Sequence, residues 1–129
     1  VTRSMSSAEG RRVTDGFTQL PATTAFSLLS EYRRWAVAVA VGEADHPLST
    51  GTLSILLAAR EQQSPPERIE GGTRESIQRD LESIHLPQLD STDVIVREKG
   101  DQYAPGKNLE RLLEAAEAAT DYLEGAQTH

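Results

Sequence analysis

The stretch TRESIQRDLESIHLPQLDSTDVIVREKGDQY, residues 73–103, decides how the chain is read. Ile77, Leu81 and Ile84 stand at i, i+4 and i+7, which gives a helix one apolar face and leaves the rest polar. Thr73 follows Gly71-Gly72 where an N-cap is expected, with Glu75 and Ser76 in the first turn. His85-Leu86-Pro87 reads as the end of that helix, because Pro87 lacks an N–H and pushes Leu86 out of the α region. Val94-Ile95-Val96 has strand composition and Lys99-Gly100-Asp101 is a turn, so a short hairpin follows. A helix, a proline-terminated turn and a hairpin, in that order, form the back half of an α+β winged helix-turn-helix.

Working outward from this stretch, His46-Pro47-Leu48 is a short connector with the makings of a strand that pairs with the hairpin. Ser49 or Thr50 caps a helix from Thr52 to about Gln62, with Leu53, Leu56 and Leu57 on its buried face. Ser64-Pro65-Pro66 and Gly71-Gly72 make residues 63–72 a loop, with room for a helical turn at 66–69. It is longer than the turn of the simplest helix-turn-helix. Upstream, Pro21 suits the start of a helix carrying Ala25, Leu28 and Leu29. Ser30 reads as the next cap, Tyr32, Trp35, Ala36, Val39 and Ala40 as one face, and Gly42 as a C-cap. Trp35, the single tryptophan, is the expected core anchor. Residues 1–20 lack periodicity and read as a flexible arm in which Arg11-Arg12 is solvated or touches phosphate. The folded domain is expected over 21–105.

Past Pro105-Gly106, Asn108 caps a last helix reaching about Leu123, with Gly125 beyond its end. Leu109, Leu112, Leu113, Ala116, Ala119 and Leu123 form an apolar stripe, and Glu110, Arg111, Glu114, Glu117 and Asp121 the opposite face. Residues 106–125 are read as a dimerisation helix using Leu109, Leu112, Leu113, Ala116 and Leu123. The plainer alternative folds that stripe back onto its own domain.

Composition bounds the function. The 129 residues carry 20 Asp and Glu against 13 Lys and Arg, a formal net charge of −7. Lys99 and Lys107 are the only lysines. An acidic, lysine-poor, alanine-rich chain suits a salt-rich cytoplasm, where surface carboxylates keep protein hydrated; an ordinary acidic bacterial protein is the other reading. With no cysteine, disulfides and thiolate zinc sites are excluded. No apolar run approaches the roughly 20 residues of a membrane span, so a cytoplasmic location without membrane association is expected. The only methionine is Met5, which makes Val1 to Ser4 either added residues or the interior of a longer chain.

His46, His85 and His129 have no partner at metal-ligand spacing, and neither HExxH nor a phosphate-binding glycine loop is present. No metal, cofactor or enzymatic activity is therefore expected. His85 reads as a helix-end histidine that fixes the Leu86-Pro87 turn. DNA chemistry has better support. Arg74 and Gln78 lie off the apolar face, and these residue types pair with guanine and adenine edges. Thr73 and Ser76 hydroxyls suit phosphate, Arg79 reaches phosphate from the flank, and Arg97 and Lys99 sit at the wing tip. Glu75, Asp80 and Glu82 oppose this by repelling phosphate. The expected partners are double-stranded DNA and a second copy of the chain. The alternative is a winged-helix module for protein interaction or assembly that does not bind DNA.

Glu31-Tyr32-Arg33-Arg34, Ala59-Arg60-Glu61 and Ser83-Ile84-His85-Leu86-Pro87-Gln88-Leu89-Asp90 before Val94-Ile95 resemble a haloarchaeal winged helix-turn-helix family. The resemblance spans about 26–103, and His-Leu-Pro-x-Leu-Asp is its most specific part. It implies a transcriptional-regulator-like winged helix and, at greater distance, dimeric regulators joined by a last helix. Where that family has Gly before the paired wing hydrophobics, this chain has Asp93, a residue that tolerates the left-handed conformation.

Overall fold

The computed structural model describes residues 20–127. The proposed flexible arm with Arg11-Arg12 lies outside the described residues up to Gln19, as does the Leu123 side chain. The described elements are α1 (Ala22–Leu29), α2 (Tyr32–Glu43), β1 (Leu48–Ser49), α3 (Thr50–Gln62), α4 (Gly71–Asp80), α5 (Leu86–Ser91), β2 (Ile95–Glu98), β3 (Gln102–Pro105) and α6 (Leu109–Gln127). A 3₁₀ turn occupies Pro66–Arg68, and a π-helical turn, Leu81–His85, joins α4 to α5. The fold is α+β, helix-rich with one small antiparallel sheet of order β1-β3-β2.

The end of the short connector before α3 is a strand, Leu48–Ser49. Leu48 pairs with Tyr103 and Ser49 with Gln102, so β1 ties the start of α3 to the hairpin. Ser49 then caps α3, its hydroxyl accepting the Thr52 N–H at 3.1 Å. Leu53 and Leu57 of α3 are fully buried with Val37 and Val41 of α2, Leu81, Leu86, Leu89, Val94, Ile95 and Leu112. These side chains form the core between the helices and the inner face of the hairpin. Leu56 is 38% exposed and does not belong to that face.

Three expectations for the central stretch are corrected. First, α4 begins at Gly71 with Glu70 at the cap position, and Thr73 is inside the helix. Second, the chain stays helical past Pro87. The Leu86 N–H donates to the Leu81 carbonyl, five residues back, and Pro87, which has no N–H to give, stands in the first turn of α5 just past this widened turn. Third, that turn rotates Ile84 outward to 45% exposure, and His85, at 3%, takes the inward position.

Elsewhere, Trp35 is only half-buried and Tyr32 exposed, because α2 turns Ala36, Val37, Ala38 and Val41 inward instead. Trp35 packs on the rim of the core, 5.6 Å from the Tyr32 ring and 5.2 Å beneath the Arg60 guanidinium. Glu31 rather than Ser30 precedes α2. Gly42 lies in the last turn of α2, where α6 crosses: a Cβ there would stand 3.4 Å from both Leu109 Cδ2 and Leu113 Cδ1. Helix α6 packs on α1 and α2 and continues past Gly125 to Gln127. Asn108 is buried at the position before α6, where its carbonyl accepts the Leu112 N–H at 3.1 Å and its side chain donates to the Thr92 carbonyl at 2.9 Å.

Candidate nucleic-acid interface

Helix α4 is set against α3, its most extensive neighbour. Ile77 supplies the inward contact, buried to 2% exposure. A polar bridge fixes the same junction. Arg33 of α2 donates to Glu61 of α3 at 2.8 Å and to Asp80 at the end of α4 at 2.9 Å. The Glu61 hydrogen bond, with the Asp80 carboxylate behind it, raises the Arg33 pKa above its ordinary value. Asp80 also lies 3.3 Å from His85 Nε2 in the π turn, so one carboxylate joins α2 to both ends of that junction. The second ring nitrogen of His85 is buried without a partner. The contact of the ring is thus the Asp80 side chain, and neither ring nitrogen bonds the backbone of the Leu86-Pro87 turn that His85 is expected to fix.

The residues expected to meet DNA fall into two groups. On α4, Ser76 and Arg79 are exposed, and Thr73, Arg74 and Gln78 are half-buried at the helix flank. Arg74 and Arg79 keep no intrachain partner for their guanidinium groups, and Gln78 donates to Glu82 at 3.2 Å. Glu75 and Glu82 are exposed on the same helical run. On the hairpin, Lys99 is exposed in the connection between β2 and β3 and is unpaired. Arg97 sits opposite Tyr103 in register and is ion-paired with Asp101. The Asp101 hydrogen bond raises the Arg97 pKa.

Arg97, Asp101 and Tyr103 form one wall of a groove of about 450 Å³ whose other lining residues are Thr50, Glu82, Leu86, Pro87 and Asp90. Three carboxylates and one guanidinium therefore face this space. Burial raises the Tyr103 phenol pKa above its ordinary value. The α4 residues Thr73, Arg74, Ser76, Gln78 and Arg79 stand outside this lining, and Gln78 adjoins it through Glu82. The sequence reading passed over Arg68, exposed and unpaired in the 3₁₀ turn ahead of α4. Its signal was the helical turn expected at 66–69, which directs attention to the cation at its end.

On α6, Leu109 and Leu112 are 6% and 0% exposed and are spent on intrachain packing. Leu113 and Ala116 are half-buried and line a cleft with Trp35 and Val39. A second cleft, between Ala116, Ala119, Leu29 and Tyr32, continues that surface. The stripe thus has a covered first half and a shallow, partly open middle.

Among the described residues, no group of three or more His, Asp and Glu side chains is arranged to hold a metal ion, and no helix is long and apolar enough to cross a membrane. No curated protein and no solved structure matches the chain. A family match covers residues 26–103, the span from α1 to β3, and on it the chain belongs to the family described as Domain of unknown function (DUF7344).

Proposed function

We propose that the chain is a winged helix-turn-helix DNA-binding protein of transcriptional control, acting as a homodimer in a salt-rich cytoplasm. The order from α2 to β3, a helix, a strand, α3, then α4 continued through the π turn into α5, then the hairpin, with β1 paired to β3, supports the winged-helix reading. The distribution of unpaired cations carries the DNA reading. Among the described residues, Arg33, Arg97 and Lys107 are ion-paired, Arg34 and Arg111 donate to backbone carbonyls, and Arg60 covers Trp35. Arg68, Arg74, Arg79 and Lys99 keep no partner, and all four belong to the α4 region or the hairpin tip. An acidic protein binds a polyanion only through segregated cations of this kind. Arg74 and Gln78 are assigned to base edges, Thr73, Ser76, Arg79 and Arg68 to phosphates, and Arg97 and Lys99 to the wing contact. A second copy is assigned to the Leu113 and Ala116 side of α6.

The test is fluorescence-anisotropy binding to random and genomic-upstream duplexes across a potassium chloride series, with light scattering on the same sample. The expected result is saturable binding to a subset of upstream fragments, lost in a folded Arg74→Ala, Gln78→Ala double variant. Unchanged specificity in that variant would remove α4 from recognition.

One observation favours a second reading. Gln78 is engaged by Glu82, and the groove beside the hairpin carries Glu82, Asp90 and Asp101. A protein-interaction module without DNA binding would carry such an acidic face. A folded dimer that binds no duplex at any salt concentration decides for it.

A further inference from the structure

We propose that Asp101 restrains the contact of the hairpin with nucleic acid: it holds Arg97 in an intrachain ion pair, so that Arg97 reaches a nucleic-acid phosphate only by leaving Asp101. The inference rests on the DNA-binding reading above. Glu98 and Gln102 close the hairpin in register, and Lys99, Gly100 and Asp101 connect them. Gly100 and Asp101 are both left-handed, at φ 73° and 57°. Two successive left-handed residues fold the connection tightly, and in this geometry Asp101 Oδ1 meets Arg97 Nη2 across the tip. The pair lies at the mouth of the groove that also holds Glu82 and Asp90, so every ionised group lining that space besides Arg97 is a carboxylate.

This pairing sets Arg97 apart from Arg68, Arg74, Arg79 and Lys99, which meet a phosphate with nothing to give up. Binding to arbitrary duplex DNA rests on the number of phosphates neutralised and counterions released. An arginine already neutralised by its own chain adds almost nothing to that number, and the freed carboxylate would face the polyanion. A site that satisfies α4 supplies base contacts that arbitrary DNA lacks. Asp101 therefore lowers affinity for arbitrary sequence, which has no base contacts to make up the loss.

The test uses random-sequence duplex, fluorescence anisotropy and a potassium chloride series on the wild-type chain, Asp101→Asn, Arg97→Gln and the double variant. Asparagine keeps the size and the left-handed preference of Asp101 and removes its charge. Asp101→Gly, also at ease at this φ, repeats the test if the asparagine variant misfolds. The expected result for Asp101→Asn is about two- to fivefold tighter binding, the worth of an exposed ion pair. Its slope of log K against log salt should steepen by about one. In the Arg97→Gln background, Asp101→Asn should bring no gain, so that the double variant binds as Arg97→Gln alone does. Wild-type affinity and slope in folded Asp101→Asn and Asp101→Gly would overturn the proposal and leave the DNA reading standing. Absence of binding by all variants would overturn both.

Discussion

The backbone of Gly106 lies directly against that of Asp93. The Gly106 N–H donates to the Val94 carbonyl at 2.9 Å, and the Asn108 N–H donates to the Asp93 carbonyl at 2.9 Å. A Cβ on Gly106 would stand 2.8 Å from the Asp93 carbonyl carbon and nearer still to its oxygen. Asp93 itself is left-handed at φ 62°, the conformation that starts the hairpin in the right direction. The two ends of the hairpin are thus held by backbone, and no flexible side chain can give way. Gly106→Ala is expected to cost about 3 kcal/mol, at the upper end of overpacking, measured as a shift in the urea midpoint with an unchanged slope.

Asp93 answers the same constraint from the other side. Asp93→Gly removes the exposed ion pair with Lys107, 3.6 Å away, and relieves the left-handed backbone. The two effects oppose each other, so stability should stay within about 1 kcal/mol of wild type. Asp93→Val puts a β-branched residue at positive φ and should cost about 2 kcal/mol. Similar losses for glycine and valine would show that the Asp93 side chain, not its φ, matters.

Asp80 serves two partners, Arg33 and the buried His85, from one carboxylate. Asp80→Ala leaves His85 without its only side-chain partner and frees one arm of Arg33. A loss of about 2 kcal/mol is expected, from the hydrogen bond that Asp80 accepts from Arg33 and from the buried imidazole left without its carboxylate contact. Glu61 bonds Arg33 alone and touches no buried group, so Glu61→Ala is the milder control. Thermal unfolding of the two variants side by side decides the order.

Tyr103 gives the pH prediction. Its phenol is held above its ordinary value of 10.0 by burial. A group whose folded pKa is raised contributes fully below its unfolded pKa and loses that contribution as pH rises through the folded one. Stability should therefore fall on the alkaline side, beginning near pH 10, as the unfolded phenol ionises before the folded one. Ultraviolet difference titration of wild type against Tyr103→Phe should assign the late phenol, and the alkaline loss should be weaker in the variant.

Much of the fold was legible where local chemistry and tertiary structure agree. Ser49 ahead of Thr52, Leu48 beside a hairpin in need of a third strand, and Gly100-Asp101 between short strands all read correctly. The misreadings share a cause, which is tertiary override of a local rule. Pro87 signals a helix end, yet a π turn absorbs it, and the same turn exchanges Ile84 for His85 on the buried face. Nothing local marks a π turn. Trp35 suggests a core by its size, but the small side chains of α2 leave space only on the rim. At the candidate interface, exposure of Arg79 and Lys99 followed from helix and turn position. The pairings of Arg33 with Asp80 and Arg97 with Asp101 are products of the folded geometry. The first joins residues 47 positions apart; the second depends on two left-handed residues at the hairpin tip.

Helix α6 separates folding from assembly along its own length. Leu112 is fully buried under α1 and α2, so Leu112→Ala should cost about 3 kcal/mol of stability, as for other buried leucines. Ala116 lies further along, on the wall that two shallow clefts share with Trp35 and Thr120, with open space beside it. Ala116→Glu places a charge where a second copy is proposed to dock, and the monomer can solvate it there. Its expected effect is on mass by light scattering, a shift toward monomer, with the unfolding midpoint of the dilute protein nearly unchanged. The two variants must differ in kind for the assignment to hold. If Ala116→Glu leaves the mass of a wild-type dimer unaltered, the middle of α6 is not the contact. If it unfolds the chain as Leu112→Ala does, the stripe is a continuation of the core.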